Sequence, residues 1–187
     1  MNKSIEGCLI DALGKDPKES SVAFIITASS AIAYDKSWVI KDLSKLVDMG
    51  FKHIDIVDIS AVDKTNWLPR LQNVDVIFVE GGDTFYLMEW ITKSGLRDEI
   101  DVLLKETVYV GVSAGSCIFS ENLALKASQE VYGEDLERKD DLLGLNYLNF
   151  YIFPHFNNKT YFPKVTKENL EKFKAIYKKD MYLLDDN

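Results

Sequence analysis

The pentapeptide Gly111-Val112-Ser113-Ala114-Gly115 has the G-x-S-x-G form of a nucleophile elbow. In such an elbow a strand turns so sharply into a helix that only small residues fit around the serine. The preceding run, Thr107–Val112, is apolar and β-rich, and the segment after the serine is first small and then apolar, so strand, turn and helix fall in the required order. The hydroxyl of Ser113 would then stand at the carboxyl end of a sheet, with the N–H of Ala114 turned toward the oxyanion of an acyl-transfer intermediate. Glu80-Gly81-Gly82-Asp83-Thr84 follows another strand-like run and opens a helix, so it can present further backbone N–H groups at a neighbouring strand end. A phosphate-cradling role is disfavoured there, because neither Gly-Lys-Ser/Thr nor G-x-G-x-x-G occurs.

A serine nucleophile needs a base, and the chain has two histidines. His53 opens an alternating run at the amino end of a strand, the wrong end of a parallel sheet, and reads as structural. His155 follows the strand-like run 148–153 and Pro154, at a carboxyl end from which an imidazole can reach Ser113.

Elements that could hold these residues are legible around them. Val22–Thr27, His53–Ile59, Val74–Val79 and Thr107–Val112 read as strands, and three of the four are nearly continuously hydrophobic, as strands covered on both faces are. Helices are expected over Met1–Leu13, around Trp38, Val39, Leu43, Leu46 and Val47 with Gly50 as cap, after Asp83-Thr84, over Leu96–Glu106 and over Lys167–Lys179. The polar, acid-rich stretch 121–144 reads as loops and short edge elements. A strand over 148–153 is expected to stop at Pro154, and Met181–Leu184 starts another. Strands alternating with helices predict a three-layer α/β fold, a mainly parallel sheet with helices on both faces, in a single domain 1–187.

Composition narrows the partners. With 187 residues, 47% of them apolar, the chain can bury one real core, and a net charge of −8 without a basic stripe argues against nucleic acid or an anionic membrane surface. Cys8 and Cys117 match no metal-ligand spacing and read as reduced thiols. No signal-peptide-like or membrane-length apolar run occurs, so a cytoplasmic location is expected.

Val79–Phe85, Gly111–Gly115 and Phe153-Pro154-His155-Phe156 together resemble the peptidase E (aspartyl dipeptidase) family of serine peptidases, relatives of cyanophycinase, over about residues 21–186. The resemblance implies a glutamine amidotransferase-like fold, with Ser113 as nucleophile, His155 as base, Gly82 and Ala114 as oxyanion hole, and no metal or cofactor. It also implies a small peptide substrate with N-terminal Asp. The best-known members carry an acid about fifteen residues past the serine. Here that position is Ser128, and Glu130 is the nearest carboxylate, so Ser128, with Glu130 as alternative, is the expected third member. Lys167 falls about where the family places an arginine, and is the expected contact for an acidic substrate side chain, as a point charge in place of a bidentate fork. Compared with the family, peripheral strands at both ends of the sheet are expected to be missing, which would leave an exposed sheet position and favour a homodimer. The missing acid leaves room for a catalytically weak or inactive homologue that acts as a binding or regulatory domain. A hydrolase of another small amide, cyanophycin-like, differs only in the pocket.

Overall fold

The computed structural model describes residues 3–33 and 35–186. Its first element is α1 (Lys3–Leu13); the expected helix began at Met1, and Met1 and Asn2 lie outside the described residues. Then come β1 (Ser21–Ile25), α2 (Thr27–Ser30), α3 (Ser37–Asp48), β2 (His53–Val57), α4 (Lys64–Gln72), β3 (Val76–Val79), α5 (Thr84–Lys93), α6 (Leu96–Leu103), β4 (Val108–Gly111) and α7 (Ala114–Cys117). The remaining elements are α8 (Leu125–Val131), β5 (Tyr151–Phe156), α9 (Lys167–Tyr177) and β6 (Met181–Asp185).

The first four strands form a parallel sheet in the order β2-β1-β3-β4. Side chains alternate across it. Ala23, Ile25, Ile77 and Val79 face a core built with Trp67, Leu71, Phe85, Met88 and Ile100 of α4, α5 and α6. Val22, Phe24, Val76 and Phe78 face Leu9, Val39 and Leu46 of α1 and α3, with the Phe24 and Phe78 rings stacked 5.0 Å apart. These are the three expected layers. β1 and β3 are buried along nearly their whole length, whereas β4 is only half-buried because it forms one edge of the described sheet. β5 and β6 pair in parallel as a separate sheet, packed with α8 and α9 around Val131, Tyr151, Phe153, Leu170 and Phe173.

Three local expectations are corrected. Val47 is 63% exposed, since the buried face of α3 is centred on Val39 and Leu46 and the next residue lies about 100° around the helix. The stretch 121–144 contains α8, whose buried Leu125, Ala127, Ser128 and Val131 recur at helical spacing under a polar surface. Strand β5 does not stop at Pro154. A register shift between Phe153 and Phe156 lets the strand pass through a residue that cannot donate to the ladder.

Register brings the ends of three strands together: Ile25 lies beside Val79, and Val79 beside Gly111. The segments leaving those ends therefore meet at one rim. Glu80, the first residue past β3, is completely buried; its Oε1 accepts the Gly81 N–H at 2.8 Å, and its Oε2 has no partner among the described residues. Burial pushes this carboxyl up to about 8, against the pull of the Gly81 amide and with added repulsion from Asp42. The folded protein thus keeps a proton that the unfolded chain releases near 4.5, so stability falls as pH rises from about 4.5 to about 8. Replacing Glu80 by Gln is expected to flatten that loss, on the order of a few kcal/mol, in denaturant titrations run at pH 5 and pH 8.5.

Candidate active site

Ser113 stands between β4 and α7 with φ 47 and ψ −111, a backbone conformation that a residue with a side chain adopts only at a cost of about 1–3 kcal/mol. The turn is tight enough that a Cβ on Gly115 would lie 2.3 Å from the Val79 carbonyl oxygen. Glycine is obligatory there because α7 begins directly over the end of β3. The same crowding governs the neighbouring loop. Gly82 has φ 139, and a Cβ on it would lie 2.3 Å from the Ala28 carbonyl. Gly81 lies against the elbow serine itself, its missing Cβ 3.0 Å from Ser113 Cβ.

Ser113 Oγ lies 2.8 Å from His155 Nε2. His155 is carried on the bulged part of β5 with φ 68, again unfavourable for a side-chain-bearing residue. Its ring is stacked on Phe162, centroids 4.2 Å apart and planes 15° from parallel. The other ring nitrogen, Nδ1, lies 2.8 Å from Asp186 Oδ1. Asp186 also accepts from Asn158 Nδ2 through Oδ2 at 2.7 Å, and the adjacent Asp185 accepts from Asn157 Nδ2 at 2.8 Å. Two consecutive carboxylates at the end of β6 thereby anchor the two asparagines that follow the histidine.

The acid beside the imidazole is therefore Asp186, and the expectation of Ser128 or Glu130 is corrected. Ser128 is buried in α8 and donates to the Leu123 carbonyl at 3.2 Å, so its hydroxyl is committed to its own helix start. Glu130 pairs with Lys172 of α9 on the outer surface. The signal that could have found Asp186 was the Asp185-Asp186 pair after a strand-like run; its closeness to His155 follows from the parallel β5–β6 pairing, which sequence spacing does not display. Lys167 is the first residue of α9, exposed and without an ion pair among the described residues, after Thr166 caps the helix by accepting from Asn169 N–H at 3.1 Å. His53 lies exposed at the start of β2, away from this rim.

Two amides near the serine are uncommitted. The Gly81 N–H is used by Glu80 and the Asp83 N–H by the Ala28 carbonyl, while those of Gly82 and Ala114 have no hydrogen-bond partner among the described residues. Burial pushes the thiol of Cys117, one turn past the serine, up to about 12, away from the thiolate form, and its Sγ contacts the Ile152 carbonyl at 3.4 Å. Among the described residues no cluster of His, Cys, Asp and Glu could hold a metal ion, and no helix is long and apolar enough to cross a membrane.

Known proteins resemble this chain along its length. An uncharacterized peptidase of Pasteurella multocida is 28% identical over 145 residues, 75% of this chain and 67% of that protein. One from Listeria innocua is 29% identical over 149 residues, 79% of this chain and 69% of that protein. Among solved structures, a candidate peptidase E protein from Listeria monocytogenes superposes with a TM-score of 0.77 at 23% identity, covering 96% of this chain and 84% of that one. A peptidase from an acI-B1 actinobacterium gives 0.69 at 17% identity, with 98% and 75% covered. These two structures share the fold. The sequence profile of peptidase family S51 matches residues 1–187, and the chain belongs to that family of serine-type peptidases.

Proposed function

We propose that the protein hydrolyses small peptides, dipeptides with N-terminal Asp foremost, through an acyl-enzyme on Ser113. The observation that carries this reading is the continuous relay from Ser113 Oγ through His155 to Asp186, with 2.8 Å at each link. In that relay His155 takes the hydroxyl proton as Oγ attacks the scissile carbonyl. The oxyanion that forms is met by the free N–H groups of Gly82 and Ala114. Collapse breaks the C–N bond, and the same proton passes to the leaving amine. A water, deprotonated by His155, then releases the acid and restores Ser113. Asp186 keeps the imidazole in the tautomer with its proton on Nδ1 and offsets the imidazolium charge that appears in each half-reaction.

A carboxylate on Nδ1 supports the catalytic reading over that of a non-catalytic binding domain. Preference for an acidic residue is assigned to Lys167, at the start of α9 and without an ion pair among the described residues, as a point charge for a substrate carboxylate. Another small amide, such as a β-aspartyl peptide, would use the same relay with a different pocket. Two unpaired cysteines fit a reducing cytoplasm.

Replacing Ser113 by Ala is expected to abolish turnover of Asp-Xaa dipeptides, and a peptide aldehyde should bond to Ser113 Oγ in a crystal. Wild-type turnover by the variant, or an adduct elsewhere, overturns the mechanism. Asp186→Asn should lower kcat by roughly 10²- to 10⁴-fold while the fold survives, because an amide favours the wrong imidazole tautomer. Lys167→Ala should raise KM for Asp-Xaa by about tenfold and leave Ala-Xaa untouched, measured by comparing the two substrates.

A further inference from the structure

The histidine and the oxyanion loop belong to different sheets. His155 is carried by the β5–β6 pair, Gly82 by the four-stranded sheet, and among the described residues no strand pairing joins the two sheets. The segment that follows α8 touches both. Tyr132 donates its hydroxyl to the Pro154 carbonyl at 2.9 Å, one residue before His155. Its ring stands edge-on to the imidazole, centroids 6.5 Å apart at 85°, and edge-on to Phe162 at 5.8 Å. Two residues on, Glu134 turns the other way: its Oε1 accepts from the Thr84 hydroxyl at 3.4 Å. Thr84 is two residues past Gly82 and is almost wholly buried.

Glu134 is an expensive choice for this contact. The residue is half-buried, but its Oε2 is sealed from solvent and has no partner among the described residues. Arg138, the nearby cation, is committed to Asp135 and Glu89 and lies over the Phe85 ring. The helix start does not need a second acid, since Asp83 already caps α5 by accepting the Tyr86 N–H at 2.8 Å. A half-satisfied buried carboxyl costs stability, and its contact lies on the loop that carries an oxyanion donor.

We propose that Tyr132 and Glu134 are positioning residues for the peptidase reaction, a strap that fixes the histidine loop relative to the oxyanion loop. The inference rests on the reading of His155 as base and Gly82 as oxyanion donor. Neither residue touches the reacting atoms; Tyr132 acts through the Pro154–His155 peptide and Glu134 through Thr84. The titratable groups around Glu134 are Asp83 at the start of α5, Cys117 of α7, and Tyr132 and Asp135 on its own segment. Burial, then repulsion from Asp83, pushes the Glu134 carboxyl up to about 7, so the strap is tightest above that pH, where an ionised acceptor holds Thr84.

The test measures kcat, KM and peptide-aldehyde affinity for wild type, Glu134→Ala, Glu134→Gln, Tyr132→Phe and the double variant Tyr132→Phe/Glu134→Ala, with thermal melts as folding control. Glu134→Ala should lower kcat by about 10- to 100-fold, with KM within about twofold and aldehyde affinity falling in parallel with kcat. Glu134→Gln, whose neutral amide oxygen still accepts from Thr84, should lose less rate than Glu134→Ala, match the rate wild type keeps once Glu134 is protonated, and remove one protonation from the acid limb of the kcat profile. The double variant should lose less than the product of the two single losses, because both contacts serve one separation. Unchanged kcat in Glu134→Ala, a loss confined to KM, or a wild-type acid limb in Glu134→Gln overturns the strap. If Glu134→Ala does not fold, the Glu134→Gln profile decides alone. Failure of the underlying reading is seen separately, as turnover by Ser113→Ala.

Discussion

Everything at the site depends on two residues held in backbone conformations that side-chain-bearing residues avoid. Ser113 at φ 47 and His155 at φ 68 face one another, and the 2.8 Å contact between them exists only while both are held there. Neither can relax alone. The elbow is wedged between α7 and the end of β3, where Gly115 leaves no room even for a methyl group. The histidine is clamped by Phe162 on one face, by Asp186 at Nδ1, and by the hydrogen bond on the peptide before it. The strain is thus paid for by packing on both sides, and its product is a serine presented clear of the sheet.

The parallel sheet converts that local strain into a site. Because β1, β3 and β4 run the same way and end in register, the segments that leave them converge on one rim, bringing the Gly81-Gly82 turn against Ser113. The second sheet works by a different route. β5 and β6 are parallel neighbours joined through α9, so a residue just past β6 comes level with one near the end of β5. That geometry sets Asp186 beside His155 across 31 residues of chain.

Much of this was legible in the sequence because it was local. The elbow, the Gly-Gly turn and the continuously apolar strands each carry their signal within a few residues, and the parallel three-layer architecture follows from their alternation. The histidine was placed by the direction of its strand. The acid was not, since its neighbour is fixed by strand pairing between distant segments, and counting forward from Ser113 leads into α8, where Ser128 points at its own backbone. Helix α8 was masked by its polar surface; its four buried positions are spaced helically but are surrounded by acids and lysines. The passage of β5 through Pro154 was hidden for a related reason. Proline ends a regular strand, and only the bulge that also turns His155 toward the serine makes it tolerable.

The position of Asp186 after β6, with the elbow far upstream, has a temporal consequence. Ser113 and its neighbouring amides can be assembled from the first four strands and their helices, but the imidazole lacks its carboxylate until the chain has been synthesised past β6 and that strand has docked on β5. A ribosome-bound fragment carrying the elbow is therefore a fold without its full relay. The order of residues along the chain delays the complete relay until β6 has been made and has docked on β5.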